Sequence, residues 1–137
     1  HPPTLLFVGS VDVYKRQIND NVLSLINLES LRDFEAKSGL KIDHERFRAN
    51  IVIDGLAAMQ ELELANKKIK IGNVLFNVFC NTPRCKATSF PYRSKILDIN
   101  LPKKLNEIYN HIDFGIYLKP LTSGQVFLND TVCILND

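Results

Sequence analysis

Residues 68–80 constrain the fold more than any other stretch of this chain. Lys68-Ile69-Lys70-Ile71 alternates polar and apolar side chains with the period of a half-buried strand. Gly72-Asn73 supplies a two-residue turn, and residues 74–80 return as the second arm of a hairpin. On that arm Val74, Phe76, Val78 and Cys80 share one face, which predicts Cys80 as a buried core filler. The same signal recurs in shorter form. Ile51-Val52-Ile53 runs into the turn dipeptide Asp54-Gly55, and residues 114–121 run into Ser123-Gly124. Residues 126–128 and 132–135 are short strands, the last placing Cys133 in a hydrophobic run and predicting it buried.

Helix signals are few. Asn27 can cap a helix over residues 28–37, with Leu28, Leu31 and Phe34 as its buried stripe and Gly39 as its stop. Asp43 can cap a short turn through Phe47. Asn100 can cap a second helix starting at Leu101-Pro102, buried through Leu105 and Ile108. Many short strands, turn dipeptides and two helices predict a mostly β, barrel-like domain with peripheral helices.

A chain of 137 residues with 45% hydrophobic and 23% charged residues is one domain with a real core. The formal charge of +2 is mild and the basic residues are dispersed, so there is no stripe for nucleic acid. The Lys67, Lys68 and Lys70 cluster reads as a solvated strand face. Three cysteines without framework spacing read as thiols in a reducing, cytoplasmic compartment. No apolar run reaches membrane-spanning length, and Leu5-Leu6-Phe7-Val8 is too short for a signal peptide. The chain starts with His1 rather than Met and reads as a fragment. Asp12-Val13-Tyr14-Lys15-Arg16-Gln17 resembles translated adapter read-through, so residues 1–17 are set apart as a doubtful leader and residues 18–137 as the domain. The plain reading of residues 1–17 is a strand, 5–8, and a loop.

The chemistry-bearing stretch is Thr82-Pro83-Arg84-Cys85-Lys86-Ala87-Thr88. It puts a thiol directly after an arginine at a strand end, where the cation would stabilise a thiolate. Thiolates bind soft metals and carry sulfur, whereas the plain alternative is an inert buried thiol. Cys80 and Cys85 could pair, but their spacing guarantees no disulfide geometry.

Five blocks, in order, resemble one family. They are Ser24-Leu25-Ile26-Asn27-Leu28 with Ser30-Leu31-Arg32-Asp33; Arg46-Phe47-Arg48-Ala49-Asn50-Ile51; Arg84-Cys85-Lys86-Ala87-Thr88; Asp98-Ile99-Asn100-Leu101-Pro102; and His111-Ile112-Asp113-Phe114-Gly115-Ile116-Tyr117. Together they resemble the MOSC domain, the C-terminal domain of molybdenum-cofactor sulfurases, found also in stand-alone bacterial proteins and the mitochondrial amidoxime-reducing component. The resemblance spans residues 21–135. It implies a β-barrel with peripheral helices, and strands ahead of the Ser24 block, so a non-native leader would leave part of the barrel missing.

The resemblance implies that Cys85 ligates the molybdenum of a molybdopterin cofactor and is the catalytic position. It implies Arg48, Asn50, Arg84, Thr88, Ser24 and Asn27 as cofactor-binding residues. Arg suits a phosphate, Asn suits an amide-like pterin edge, and a helix N-terminus attracts anions. Arg48, Asn50, Arg84, Cys85 and Thr88 are therefore expected to converge on one concave site. Plain readings stand beside these: Arg46 and Arg48 as surface residues pairing with Asp43 or Glu45, and Asn27 as a simple helix cap. His111 and Asp113 are too few for a metal site and read as fixing the loop before the Phe114 strand.

The sequence departs from the family after Cys85, where Ser89, Pro91, Tyr92 and Lys95 replace the usual residues. It departs again at Asn110, where relatives carry Gly. Pyridoxal phosphate belongs to the sulfurases' separate aminotransferase-like domain, and no lysine here offers a Schiff-base site. The leading expectation is a molybdenum-dependent reductase of small N-oxygenated compounds, fed by a separate electron-transfer protein because no flavin, haem or iron–sulfur motif is present. The alternatives are a non-catalytic persulfide or cofactor carrier served by a sulfur donor, and an inactive truncated domain.

Overall fold

The computed structural model describes residues 2–8, 15–89 and 98–135. Asp12, Val13 and Tyr14, and Pro91, Tyr92 and Lys95 after Cys85, lie outside the described residues. In chain order the elements are β1 (Thr4–Val8), β2 (Lys15–Ile18), β3 (Leu23–Asn27), α1 (Leu28–Ser38), β4 (Ile51–Asp54), β5 (Lys68–Ile71), β6 (Val74–Pro83), α2 (Leu101–Tyr109), β7 (Asp113–Pro120), β8 (Gly124–Phe127) and β9 (Val132–Leu135). Three 3-10 turns, His44–Phe47, Gln60–Glu63 and Lys86–Ser89, punctuate the connections.

The main sheet has the order β1-β4-β3-β7-β6-β5-β9, and β2 pairs with β8 beside it. β3 and β4 are parallel, while their flanking pairs are antiparallel. The two ends of the sheet approach each other, so the barrel is nearly closed. Leu5 donates to the Asp130 carbonyl at 2.8 Å, Val132 donates to the Pro3 carbonyl at 2.8 Å, and Thr4 bridges Thr131. Closure gives edge groups partners that an open sheet would leave to solvent.

Strand alternation sorts the side chains into two cores. Leu25, Ile51, Ile53, Ile71, Phe76 and Ile116 fill the barrel. Ile26, Val52 and Phe114 point outward from β3, β4 and β7 and meet Leu31 and Phe34 of α1 and Leu101 and Leu105 of α2. Burying a side chain of the size of Phe34 stabilises by about 2–3 kcal/mol. Asn27 caps α1, and Gly39 ends it at φ 73°. Asn100 caps α2 through Lys103 N at 3.2 Å. Asn110 ends α2 at φ 63°. The left-handed conformation suits Gly first and Asn next, so the Gly-to-Asn departure is conservative in backbone terms.

The predicted hairpin is present: Ile71 pairs with Val74 across Gly72-Asn73, with Gly72 at φ 58°. Two cysteine expectations need correction. Cys133 is exposed, because Val132 takes the inward position on β9 and the period of two turns Cys133 out. Cys80 is only half-buried. The β6–β7 register shifts between Val78 and Cys80, and this bulge leaves Phe79 56% exposed and breaks the face that Val74, Phe76 and Val78 share. Strand β6 also runs on to Pro83, three residues past its predicted end at Cys80. All three cysteines are free thiols.

Candidate functional site around Arg84 and Cys85

Strand β6 ends at Pro83, which has no N–H to continue the ladder. Arg84 N still donates to the Ile112 carbonyl at 2.8 Å, holding the chain against the approach to β7. Cys85 follows, exposed, and the 3-10 turn Lys86–Ser89 then begins. Thr88 closes that turn on Cys85: its Oγ1 donates to the Cys85 carbonyl at 2.8 Å, and its N–H donates there at 3.2 Å. Thr88 is buried, so its hydroxyl shapes the turn from beneath.

Arg84 is 8% exposed. Its Nε donates to the Phe114 carbonyl at 2.8 Å and its Nη1 to the Phe47 carbonyl at 3.1 Å. The guanidinium lies 5.0 Å from the Phe47 ring centroid, and Phe47 stacks on Phe114 at 4.3 Å. Among the described residues no carboxylate pairs with it, and Nη2 has no hydrogen-bond partner. Desolvation pulls its pKa down to about 10, while the Tyr117 phenol and the Cys85 thiol, as anions, act in the opposite direction. A buried cation without a counter-ion is costly, so this arrangement is poised for an anion nearby.

Gly115 makes room for Arg84. It sits at φ 82° where β7 bulges against β6, and an added Cβ would come 2.6 Å from the Leu25 carbonyl and 3.1 Å from Arg84 Nη2. A side chain there is excluded by both conformation and space.

The 3-10 turn His44–Phe47 packs against this corner. Arg46, expected at the surface beside Asp43 or Glu45, is instead buried. It forms a bidentate pair with Asp98, both bonds at 2.8 Å, and Nη1 also donates to the Thr88 carbonyl at 3.2 Å. Its guanidinium holds the Asp98 carboxyl below the usual carboxylate range. Arg48 ends the turn at φ 53° with its side chain exposed. Asn50 and Ser24 engage each other where β3 and β4 begin: Ser24 N donates to Asn50 Oδ1 at 2.9 Å, and Asn50 N donates to Ser24 Oγ at 3.1 Å. Tyr117 faces Ser24 on one side and Cys80 on the other in the strand register.

The geometry therefore brings the 84–88 segment against the 46–48 segment, with Asn50 two residues further along and Ser24 bonded to it from β3. Asn27 has a different setting. It is fully buried, its Oδ1 accepts from Glu29 N at 3.4 Å, and its Nδ2 donates to Leu56 O, Ala57 O, Ser30 Oγ and Glu61 Oε1. His111 Nδ1 accepts from Asp113 N at 3.0 Å and so fixes the entry to β7. Sequence reasoning missed the Arg46–Asp98 pair, Tyr117 and the buried Glu61. Arg46 and Asp98 stood in separate blocks, but nothing local joins residues 52 positions apart.

Among the described residues, no cluster of three or more His, Cys, Asp or Glu side chains could cage a metal ion, and no helix is long and apolar enough to cross a membrane. Molybdenum cofactor sulfurase of Drosophila ananassae is 27% identical over 122 residues, which cover 85% of this chain and 16% of that protein. The protein of the same name in Drosophila mojavensis is 30% identical over 110 residues, covering 77% of this chain and 14% of that protein. The chain thus spans a small part of the length of these curated relatives. YiiM from Geobacillus stearothermophilus superposes with a TM-score of 0.68 at 13% identity, covering 98% of this chain and 73% of that chain. YiiM from Escherichia coli does so with a TM-score of 0.65 at 17% identity, covering 99% and 69%. At such identities the likeness carries the barrel architecture alone. The family model for the MOSC domain matches residues 15–133, a span that holds every strand from β2 to β8, the start of β9, the Arg84–Cys85 corner and both helices, and the chain belongs to the MOSC domain family.

Proposed function

We propose that this domain binds molybdenum cofactor at the Arg84–Cys85 corner, with the Cys85 thiolate as the protein ligand to the metal, and acts as a reductase of small N-oxygenated compounds. One observation carries the reading: Arg84 is a buried cation, with no carboxylate partner among the described residues, next to an exposed thiol. That combination suits a bound anion and a soft metal. Relatives named for molybdenum cofactor support the cofactor class.

The residues present fit such a group. Cys85 offers one soft ligand, so the remaining ligands would come with the cofactor. Arg48, exposed at the end of its turn, would meet a phosphate, and Asn50 and Ser24 would meet the pterin edge. Thr88 and Arg84 act on Cys85 itself, one shaping its turn and the other supplying fixed positive charge. Asn27 would contribute from below, by holding the start of α1. When bound, the molybdenum supplies the two-electron redox change, and a separate electron-transfer protein supplies the electrons. Pyridoxal phosphate has no place in this reading.

The second reading is a carrier that holds a persulfide on Cys85, favoured by its exposure and by relatives named sulfurases. Elemental analysis after expression in a cofactor-competent host decides between them. Stoichiometric molybdenum that disappears in Cys85→Ser supports the enzyme. Cyanide-labile sulfur without molybdenum supports the carrier. Full molybdenum loading in Cys85→Ser defeats the ligand assignment.

A further inference from the structure

We propose that Arg46 is a positioning residue for Cys85, acting through the Asp98 carboxylate and the Thr88 carbonyl. Both flanks of Cys85 are tied to one short turn. On one side, Arg84 Nη1 donates to the Phe47 carbonyl at 3.1 Å. On the other, Arg46 Nη1 donates to the Thr88 carbonyl at 3.2 Å, and Thr88 Oγ1 donates to the Cys85 carbonyl at 2.8 Å. The backbone that carries Cys85 is thus tied on both sides to two neighbouring residues of the His44–Phe47 turn, Arg46 and Phe47.

Asp98 anchors the same system from the far end of its segment. It accepts both Arg46 bonds, while its own N–H donates to the Ser89 carbonyl at 3.3 Å. Ser89 Oγ in turn accepts from Leu101 N at 3.0 Å, tying the system to the start of α2. Arg46 is 5% exposed, so its planar fork is locked by packing as well as by hydrogen bonds. Only a guanidinium can hold a carboxylate bidentately and still reach a third acceptor, so lysine is a poor substitute. A surface ion pair would contribute little, whereas this pair fixes the position of a reactive group.

The inference rests on Cys85 being the functional thiol, but it can be read without metal. The experiment is site-resolved alkylation of the native, metal-free chain with iodoacetamide, followed by peptide mass spectrometry, with exposed Cys133 as the internal control. Arg46→Lys and Asp98→Asn should each lower the Cys85 rate relative to Cys133 by about threefold or more, since the reacting thiolate loses its fixed place beside the Arg84 cation. Asp98→Glu, which keeps the carboxylate, should restore most of the ratio. General loosening would raise both rates together and overturns the inference, as does a Cys85 to Cys133 ratio unchanged in both variants. If Arg46→Lys fails to fold, Asp98→Asn at its part-exposed position decides alone. Loss of molybdenum loading with an unchanged alkylation ratio would leave the cofactor reading standing and sink this one.

Discussion

Arg84 and Phe47 meet twice: Arg84 Nη1 donates to the Phe47 carbonyl at 3.1 Å, and the Phe47 ring lies with its centroid 5.0 Å from the guanidinium. Among the described residues the cation is met by two backbone carbonyls, of Phe47 and Phe114, and an aromatic face instead of by a carboxylate. Such contacts lower the cost of burial without cancelling the charge. The field remains available to an anion at the surface beside Cys85.

Arg84→Met tests that charge. Removing a buried cation relieves a desolvation cost, but it also orphans the Phe47 and Phe114 carbonyls, at about 1–3 kcal/mol each. These effects oppose one another. The expected unfolding free energy in urea is within about 2 kcal/mol of the parent, while molybdenum or sulfur loading falls by at least about tenfold. Unchanged loading in a folded Arg84→Met protein would remove Arg84 from the site.

Cys85→Ser should behave in the opposite sense to a core mutation. The side chain is exposed, so stability should stay within about 0.5 kcal/mol, as for surface substitutions generally. Molybdenum or sulfane sulfur per chain should drop to background, because a hydroxyl is a poor ligand and nucleophile near neutral pH. A large loss of melting temperature in this variant would show Cys85 to be a packing residue.

Gly115→Ala combines positive φ with a clash against the Leu25 carbonyl. Left-handed strain and displaced backbone together should cost on the order of 3 kcal/mol, measured by urea denaturation. Because the same Cβ presses on Arg84 Nη2, loading should weaken along with stability. A change below about 1 kcal/mol would mean that the β6–β7 bulge relaxes freely.

Glu61 predicts a pH dependence. Its carboxyl is fully buried, and burial pushes its pKa up against the pull of hydrogen bonds from Ser30 and Asn27. Between the unfolded value, about 4.3, and its raised folded value, the native state binds more protons than the unfolded chain, so stability falls as pH rises. Glu61→Gln should flatten this fall in melting temperature as pH rises above the unfolded value, while Asn27→Ala should destabilise at every pH through loss of the α1 cap. Asp98 has the opposite sign: its depressed pKa gives stability present above the unfolded value and lost as pH falls through the lower folded one. A melting temperature that rises with pH across that whole window in the parent would contradict the Glu61 assignment.

Much of the scaffold was legible residue by residue. The Gly72-Asn73 hairpin, the Asn27 and Asn100 caps and the Gly39 stop rest on contacts within a few positions, where side-chain period and cap chemistry act directly. The Arg84-Cys85 pair was legible for the same reason, as a thiol next to a cation at a strand end. The β6 bulge was not, because register is set by the neighbouring strand β7, and with it went the burial of Cys80. The four apolar or near-apolar residues of β9 gave no alternation from which to place Cys133 outward.

The sequence by itself thus determined the two helices, most of the strands, the caps and turns, and which residue types could carry chemistry; β2, where residues 15–17 read as loop, and β3 were not legible. Only the tertiary structure decided the partners. It put Asp98 on Arg46, Phe47 under Arg84, Glu61 under α1, and a glycine where Arg84 needs room. The reason is physical: propensity and period act over one or two turns of chain, whereas ion pairs, burial and close approach depend on which distant strands barrel closure makes neighbours.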